Sequence, residues 1–306
     1  MHFGRQAAIR SNLERRTRVN NATRAFFSTS GFLEIETPVR IPAPAPEIHI
    51  DAQESGDWFL QTSPELCMKR LLAAGYEKIF QICRCFRKGE RGGRHVPEMT
   101  LLEWYAAGLD YLDLMIQCEE LIGFVAARMD MGRQLVYQGH TVDLTPPWDR
   151  LTVAEAFERF GGMTAEQALE QECFDEIMGL YIEPQLGIER PLFLYDYPAR
   201  CGALARLKLA DSSVAERFEL YIAGMELCNA FSELTEPLAQ RARFDAENRV
   251  RGENGKTVYP IAEPFLQALA SMPPAAGNAL GLDRLVMLFT DAASIDEVVA
   301  FTPEDL

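Results

Sequence analysis

No stretch of this 306-residue chain is apolar for long enough to cross a membrane, and its start, MHFGRQAAIRSNLERR, lacks the apolar core of a secretory leader. Both absences predict a soluble, cytoplasmic protein with no membrane role. No Cys-x-x-Cys pair occurs either. The seven cysteines, Cys67, Cys83, Cys85, Cys118, Cys173, Cys201 and Cys228, are odd in number and lack metal-ligand spacing. That argues against a disulfide frame and a zinc site, and predicts reduced thiols, with Cys83 and Cys85 packed in an apolar strand. Positive charge is scarce: 30 Lys and Arg against 45 Asp and Glu leave a net charge of −15. Such a field opposes a protein whose main work is gripping nucleic acid. Basic residues do gather in residues 84–94 and in the first twenty, so a local nucleic-acid contact stays open. Walker and G-x-G-x-x-G loops are missing, as are internal repeats, low-complexity tracts and linkers. The composition is otherwise globular, 48% hydrophobic and 25% charged, and the length suits one domain over residues 1–306.

Spacing predicts the elements. Ile9, Leu13, Val19, Ala22 and Phe26 fall on one stripe of a helix over residues 9–30, closed by Gly31. GFLEIETP should be extended up to Pro38, and the Pro-rich IPAPAPEIHI extended or looped. Thr62-Ser63-Pro64-Glu65 opens a helix running to Gly75, with Ser63 as N-cap, Pro64 at the first helical position and Glu65 at the positive end of the dipole. IFQICRCFRKGERGGRHVPEMTLLEWYAAG reads as strand, long polar loop, strand. Residues 110–130, 152–182 and 236–254 have helical spacing. ERFELYIAGMELCNAFSEL reads as two strands around Ala223-Gly224, and GNALGLDRLVMLFTD as a Gly-bounded turn into a buried helix. Strands scattered among helices predict an α+β fold around a mixed, mainly antiparallel sheet flanked by helices.

Three places carry chemistry. In the hairpin at 80–105, alternation puts Met99, Leu101, Glu103 and Tyr105 on one face, and Thr100, Leu102 and Trp104 on the other. A carboxylate and a phenol on one face, beneath a loop carrying Lys88, Glu90, Arg91, Arg94 and His95, could hold a zwitterion beside a polyphosphate. The alternative is a solvated Arg-rich hairpin with Glu103 on the surface. Glu219, Glu226 and Glu233 lie in strands apolar enough to be buried, so each needs a cation. Magnesium, a lysine-like ligand and structural arginines are all open on this ground. Asn229, Phe231 and Glu233 share a face. Glu226 is out of phase with them, which requires either a bulge or a different direction. Finally, the glycines of GNALGLDRL allow close backbone approach, and Asp283-Arg284 opens a helix where anions are favoured.

In their order these pieces resemble the three motifs of class II aminoacyl-tRNA synthetases: GFLEIETP at 31–38, FRKGERGGRHVPEMTLLEWY at 86–105 and GNALGLDRLVMLF at 277–289. TSPELCMKRLLAAGYEKIFQICRCFR and GMELCNAFSEL are similar to the lysine branch. The resemblance implies ATP and magnesium, lysine or (R)-β-lysine as substrate, and a homodimer through the first motif. It implies that Glu65 and Glu103, with Ser63 and Pro64 beside them, hold the amino group near the carboxylate. Tyr105, Asn229 and Glu233 would hold the ε-ammonium, and Phe231 would pack on the stem. Arg87 would bridge carboxylate and α-phosphate. Arg94, His95 and Arg284 would meet the distal phosphates. Glu219 and Glu226 would bind magnesium, and Gly281 would border the adenine, with Lys88, Gly89, Val96, Met99 and Leu227 completing the ATP site. Arg87, Arg284 and Glu226 would be catalytic.

The thirty residues before the first motif have no room for the barrel that reads an anticodon in lysyl-tRNA synthetases. This short form is similar to the paralogues that modify elongation factor P, which makes that factor the expected acceptor and tRNA an unexpected one. Ala279, where tRNA-charging enzymes usually carry Gly, points the same way. The second motif departs from the family pattern at Lys88, Gly89, Val96 and Met99, the last replacing a Phe that stacks on adenine. A truncated enzyme acting on tRNA and a non-catalytic lysine sensor are the remaining alternatives. Glu233→Ala is expected to abolish activation while leaving folding largely intact.

Overall fold

The computed structural model describes residues 4–202 and 204–306. Its centre is an eight-stranded sheet made of β1 (Leu33–Glu34), β2 (Lys78–Phe86), β3 (Glu98–Ala107), β4 (Asp149–Thr152), β5 (Leu192–Pro198), β6 (Val214–Ile222), β7 (Met225–Ser232) and β8 (Ala275–Gly281). The spatial order is β1-β2-β3-β8-β7-β6-β5-β4. Only the two edge pairings, β1 with β2 and β4 with β5, are parallel. The expected mixed, mainly antiparallel α+β architecture is therefore present.

Two-residue periodicity gives this sheet two chemically different faces. Phe80, Leu102, Trp104, Phe193, Phe218, Leu220, Cys228, Ala230 and Leu280 point to one side. There they meet α1 (Arg10–Thr29), α3 (Tyr111–Arg128) and α6 (Leu282–Thr290) in the main core. Phe27 stacks on Phe80 with centroids 4.8 Å apart and leans on Trp104 at 5.2 Å. Full burial of such side chains stabilises by roughly 1.5–3 kcal/mol each. The opposite face carries a smaller cluster with α2 (Glu65–Ala73) and α5 (Glu263–Leu269), including Leu66, Met68, Ile79, Tyr105, Phe265 and Leu266. α4 (Pro237–Glu253) adds Phe244 to it. The main core fills one side, so the other is left for polar chemistry.

Helix boundaries follow the local signals. α1 closes at Ser30 and Gly31, whose φ of 80° suits glycine. α2 starts one residue later than expected, with Pro64 rather than Ser63 at the N-cap, and the Ser63 hydroxyl just before it accepts the Glu65 N–H at 3.0 Å. Ala223 and Gly224 both have positive φ and join β6 to β7 in a two-residue hairpin.

One further expectation is corrected: GNALG is not a turn but the end of the central strand β8, because its small residues let β3 and β7 close on both sides. Residues 152–182 are helical as their spacing implies, in short pieces: Val153–Ala156 continuing as Phe157–Gly161, then Ala165–Glu170, then Phe174–Ile177 continuing as Met178–Ile182, with a break at Gly162 (φ 72°) and a capping box at Thr164. These pieces pack their own cluster against β4 and β5.

Candidate active site

The register of five strands assembles the site on the face away from the main core. Glu103 on β3 pairs with Gln81 on β2 and with Ala279 on β8, and Ala279 pairs with Asn229 on β7. Tyr105 is opposite Gly277, which is opposite Phe231. On β6, Arg217 and Glu219 pair with Phe231 and Asn229. The phase problem at Glu226 is solved by a bulge: Leu220 pairs with Cys228 but Tyr221 pairs with Glu226, so Leu227 is the extra residue. The insertion turns Glu226 onto the face of Asn229 and Phe231.

At one end of this face lies a pocket of buried carboxylates. Glu103 is wholly buried, with Ser63 Oγ donating to its Oε1 at 2.7 Å and Tyr105 OH donating to its Oε2 at 3.0 Å. Glu233 continues the ladder just beyond β7, its N–H donating to Ala275 O at 2.9 Å. Lys69, from the second turn of α2, places its ammonium between Glu65 Oε1 and Glu233 Oε2. Glu233 Oε1 is buried without a hydrogen-bond partner. Gly277 makes room there: a Cβ on it would sit 2.2 Å from Tyr105 Cε1 and 2.4 Å from Glu233 Oε1. Burial and the nearby Glu65 push Glu103 up to about 8. Burial moves Glu233 the same way, to about 8, against the pull of Lys69. Carboxyls raised in this way favour their protonated form near neutral pH, and a cation beside them favours the ionised form.

At the other end the charge is positive. Arg87 follows β2, with its Nε buried and unpartnered and only a loose contact to Glu90 at 3.8 Å. Arg284, in the first turn of α6, donates to Glu226 O at 2.8 Å and pairs with Glu226 Oε2 at 3.1 Å. Its other nitrogen lies 2.6 Å from His95 Nε2. Burial and that guanidinium lower the His95 pKa, so the ring is neutral and accepts. Arg94 donates to Gly224 O at 2.7 Å, anchoring the loop after β2 to the β6–β7 turn. The Pro-rich segment walls this end. Arg251, fully buried, binds Glu47 O at 2.6 Å, Ile50 O at 2.9 Å and the Asp51 carboxylate at 2.7 Å, and the Lys88 N–H donates to Asp51 O at 2.7 Å. Burial pushes Glu47 in this wall up to about 7, with Arg87 opposing and Glu65 adding.

Residues 1–305 match the family described as tRNA synthetases class II (D, K and N). The chain belongs to that family. It is 40% identical over 315 residues to a lysine–tRNA ligase of Moorella thermoacetica, covering 94% of this chain but 64% of that protein. It is 39% identical over 311 residues to an elongation factor P–(R)-β-lysine ligase of Erwinia tasmaniensis, covering 95% of both chains. The corresponding ligase of Salmonella gallinarum is 38% identical, over 95% of this chain and 94% of its own.

Most of the residues singled out from the class II motifs converge on this face. Ser63, Pro64, Glu65, Glu103 and Tyr105 gather at the carboxylate end, and Arg87, Arg94, His95, Glu226 and Arg284 at the cationic end. Met99 shares the Glu103 face, and Gly281, the last residue of β8 and the N-cap of α6, pairs with Leu101. Two residues do not face the site. Val96 and Leu227 are buried in the main core, Val96 because an apolar residue follows the polar loop there, Leu227 because the bulge turns it inward. Asn229 does not meet Glu233; its Oδ1 accepts from Arg217 Nε at 3.0 Å. Tyr105 binds Glu103 rather than Glu233. Glu103 is not the surface residue of the alternative reading.

Glu219 and Glu226 both find arginines, as the structural reading allowed: Arg217 Nη2 lies 2.6 Å from Glu219 Oε1, and Arg284 holds Glu226. Tyr221 OH donates to Glu219 Oε2 at 2.7 Å and also lies 3.3 Å from Glu183 Oε1. Burial and these two glutamates push Glu183 up to about 7. Burial pushes Glu226 up, yet Arg284 and Arg217 hold it below the usual range. Among the described residues no group of three or more His, Cys, Asp or Glu is arranged as a metal cage. The sequence reading missed Lys69, Arg217 and Glu183. The first had a signal, since it stands one helical turn after Glu65. Glu183 is brought in only by the fold of the intervening turns.

Proposed function

We propose that this chain activates lysine or (R)-β-lysine with ATP and passes the acyl group to a lysine side chain of elongation factor P. The observation that carries the reading is the pairing of opposite fields on one face of the sheet. A pocket of three buried glutamates, with Glu233 Oε1 lacking a hydrogen bond, lies beside the half-buried Arg87, whose Nε is buried and unpartnered, and the Arg284–His95 pair. A diamino acid needs carboxylates for its ammonium groups, and a nucleoside triphosphate needs arginines. One short molecule with both demands is an amino acid poised against ATP.

In this reading Arg87 orients the substrate carboxylate. One carboxylate oxygen attacks the α-phosphorus, the bond to the bridging oxygen breaks and pyrophosphate leaves. The amine of the acceptor then attacks the acyl carbon, AMP departs and the nitrogen loses its proton. Positioning and charge stabilisation by Arg87 and Arg284 supply the catalysis, with no protein nucleophile. Glu219 and Glu226 are hard oxygen donors of the kind magnesium takes, and these two would hold it. Bound there with ATP, magnesium would neutralise phosphate charge. The chain's own part is to hold these carboxylates against Arg217 and Arg284.

The choice of acceptor is supported by likeness along the whole of two elongation factor P ligases, by the net charge of −15, and by Ala279, whose methyl stands between Glu103 and Asn229. The similarity to a lysine–tRNA ligase makes tRNA the second reading. A homodimer is also proposed. The first-motif residues Glu36, Thr37 and Pro38 line an open groove of about 620 Å³ with Cys67, Arg70 and Leu71, and Leu33 and Val39 beside them are exposed.

The test is to incubate the protein with magnesium-ATP, either lysine isomer and purified elongation factor P, and to take the intact mass of the factor. A gain of one lysyl unit, larger with the β isomer, is expected. Pyrophosphate release with label on RNA instead would favour the tRNA reading, and no release with either isomer would overturn the activation chemistry.

A further inference from the structure

We infer that Lys69 sets the number and spacing of ammonium groups this pocket accepts, acting as a built-in cation that positions Glu65 and Glu233. The inference rests on the lysine-activating reading above and assigns a determinant of its specificity.

Lys69 is almost completely buried, as is Glu233, and its ammonium contacts one oxygen of Glu233 and one of Glu65. It also lies 5.0 Å over the Phe231 ring, the surface expected to cover a substrate stem. The ammonium ties two carboxylates from different elements to one point. Glu65 comes from α2 and Glu233 from the end of β7. The oxygen left free on Glu233 is the one facing Gly277 and Tyr105.

Charge counting gives the consequence. Glu65, Glu103 and Glu233 carry three negative charges when ionised, and Lys69 removes one. The remaining two match a substrate with two ammonium groups, whose own carboxylate goes to Arg87. A mono-ammonium amino acid leaves a buried charge uncompensated, which is costly where water is excluded. Without Lys69 the pocket would hold one negative charge too many, and a proton on one glutamate would have to replace it.

Lys69 acts through the glutamates, so it is a positioning residue. The titratable groups around it are Glu65 on its own helix, Glu103 and Tyr105 on β3, and Glu233 after β7, with Arg87 and Glu47 beyond Glu65 at the rim.

The experiment is lysine-dependent pyrophosphate exchange by the full chain and by Lys69→Met, from pH 6.5 to 9. KM for lysine is expected to rise roughly tenfold or more at pH 7, with kcat and the KM for ATP moving far less. The pH above which KM stops improving is expected to rise by about one unit, because the glutamates hold their protons longer. Lys69→Arg, which keeps the charge, should leave that pH in place. If Lys69→Met fails to fold, Lys69→Gln replaces it, since its amide can still donate to a carboxylate. A neutral variant with an unchanged pH profile, or with tighter lysine binding, overturns the assignment while the parent protein still exchanges normally. No lysine-dependent exchange and no calorimetric lysine binding in the parent protein overturns the lysine-activating reading beneath it.

Discussion

Glu233 shows how one side chain joins stability to specificity. Its carboxylate faces the pocket with one oxygen and grips the buried Lys69 with the other. Glu233→Ala is therefore expected to abolish lysine-dependent exchange and also to destabilise the fold by about 3 kcal/mol, since removing one partner strands a buried charge. Thermal unfolding beside the exchange assay checks both. This revises the expectation from sequence that folding would stay largely intact, because the ion pair with Lys69 joins segments far apart in the chain. The pocket's protonation gives a second prediction. Burial and the nearby Glu65 push Glu103 up to about 8, above the ordinary carboxylate value, and an ammonium favours its ionised form. Lysine binding should release protons at pH 7, and affinity should rise with pH from 6 to 8 as that expulsion becomes unnecessary. Calorimetry in buffers of different ionisation heat measures the release, and a buffer-independent binding heat would refute it.

Among the elements, β7 does most to convert sequence into a site. Strict alternation would send Glu226 into the main core beside Cys228 and Ala230. One extra residue, Leu227, reverses this and brings Glu226 beside Arg284. Deleting Leu227 should remove the bulge yet keep Glu226 opposite Tyr221 and facing the site, because Glu226 would then directly adjoin the core-facing Cys228. ATP-dependent exchange is expected to persist, while the protein unfolds earlier because the main core loses a buried leucine. A folded but inactive deletion variant would show that the phosphate end depends on the bulge itself. The bulge follows from the positions of two glutamates and was legible only as a conflict of phase.

For the whole molecule, the expectation is a dimer through the segment around β1. Only Leu33 and Glu34 of that segment pair within the sheet, and the groove beside Pro38 stays open in the single chain. Sedimentation at micromolar concentration should give twice the 34.4 kDa chain mass, and a monomer there would overturn the dimer. No helix among the described residues is long and apolar enough to span a membrane.

Local pattern by itself determined the two hairpins, the start of α2 to within a residue, the helices on either side of the sheet and the class of chemistry. These depend on periodicity and on residues close in the chain. The resemblance to the family, not local pattern, assigned Glu65 and Glu103 to one ammonium and Glu233 to the other. Only tertiary structure decided that Lys69 counts among them, that Arg217 partners Glu219, and that Glu183 approaches from a broken helical stretch. It decided too that Val96 and Leu227 belong to the core. Each of those outcomes turns on a contact between segments far apart in sequence, or on a one-residue shift of face, and neither is written in local pattern.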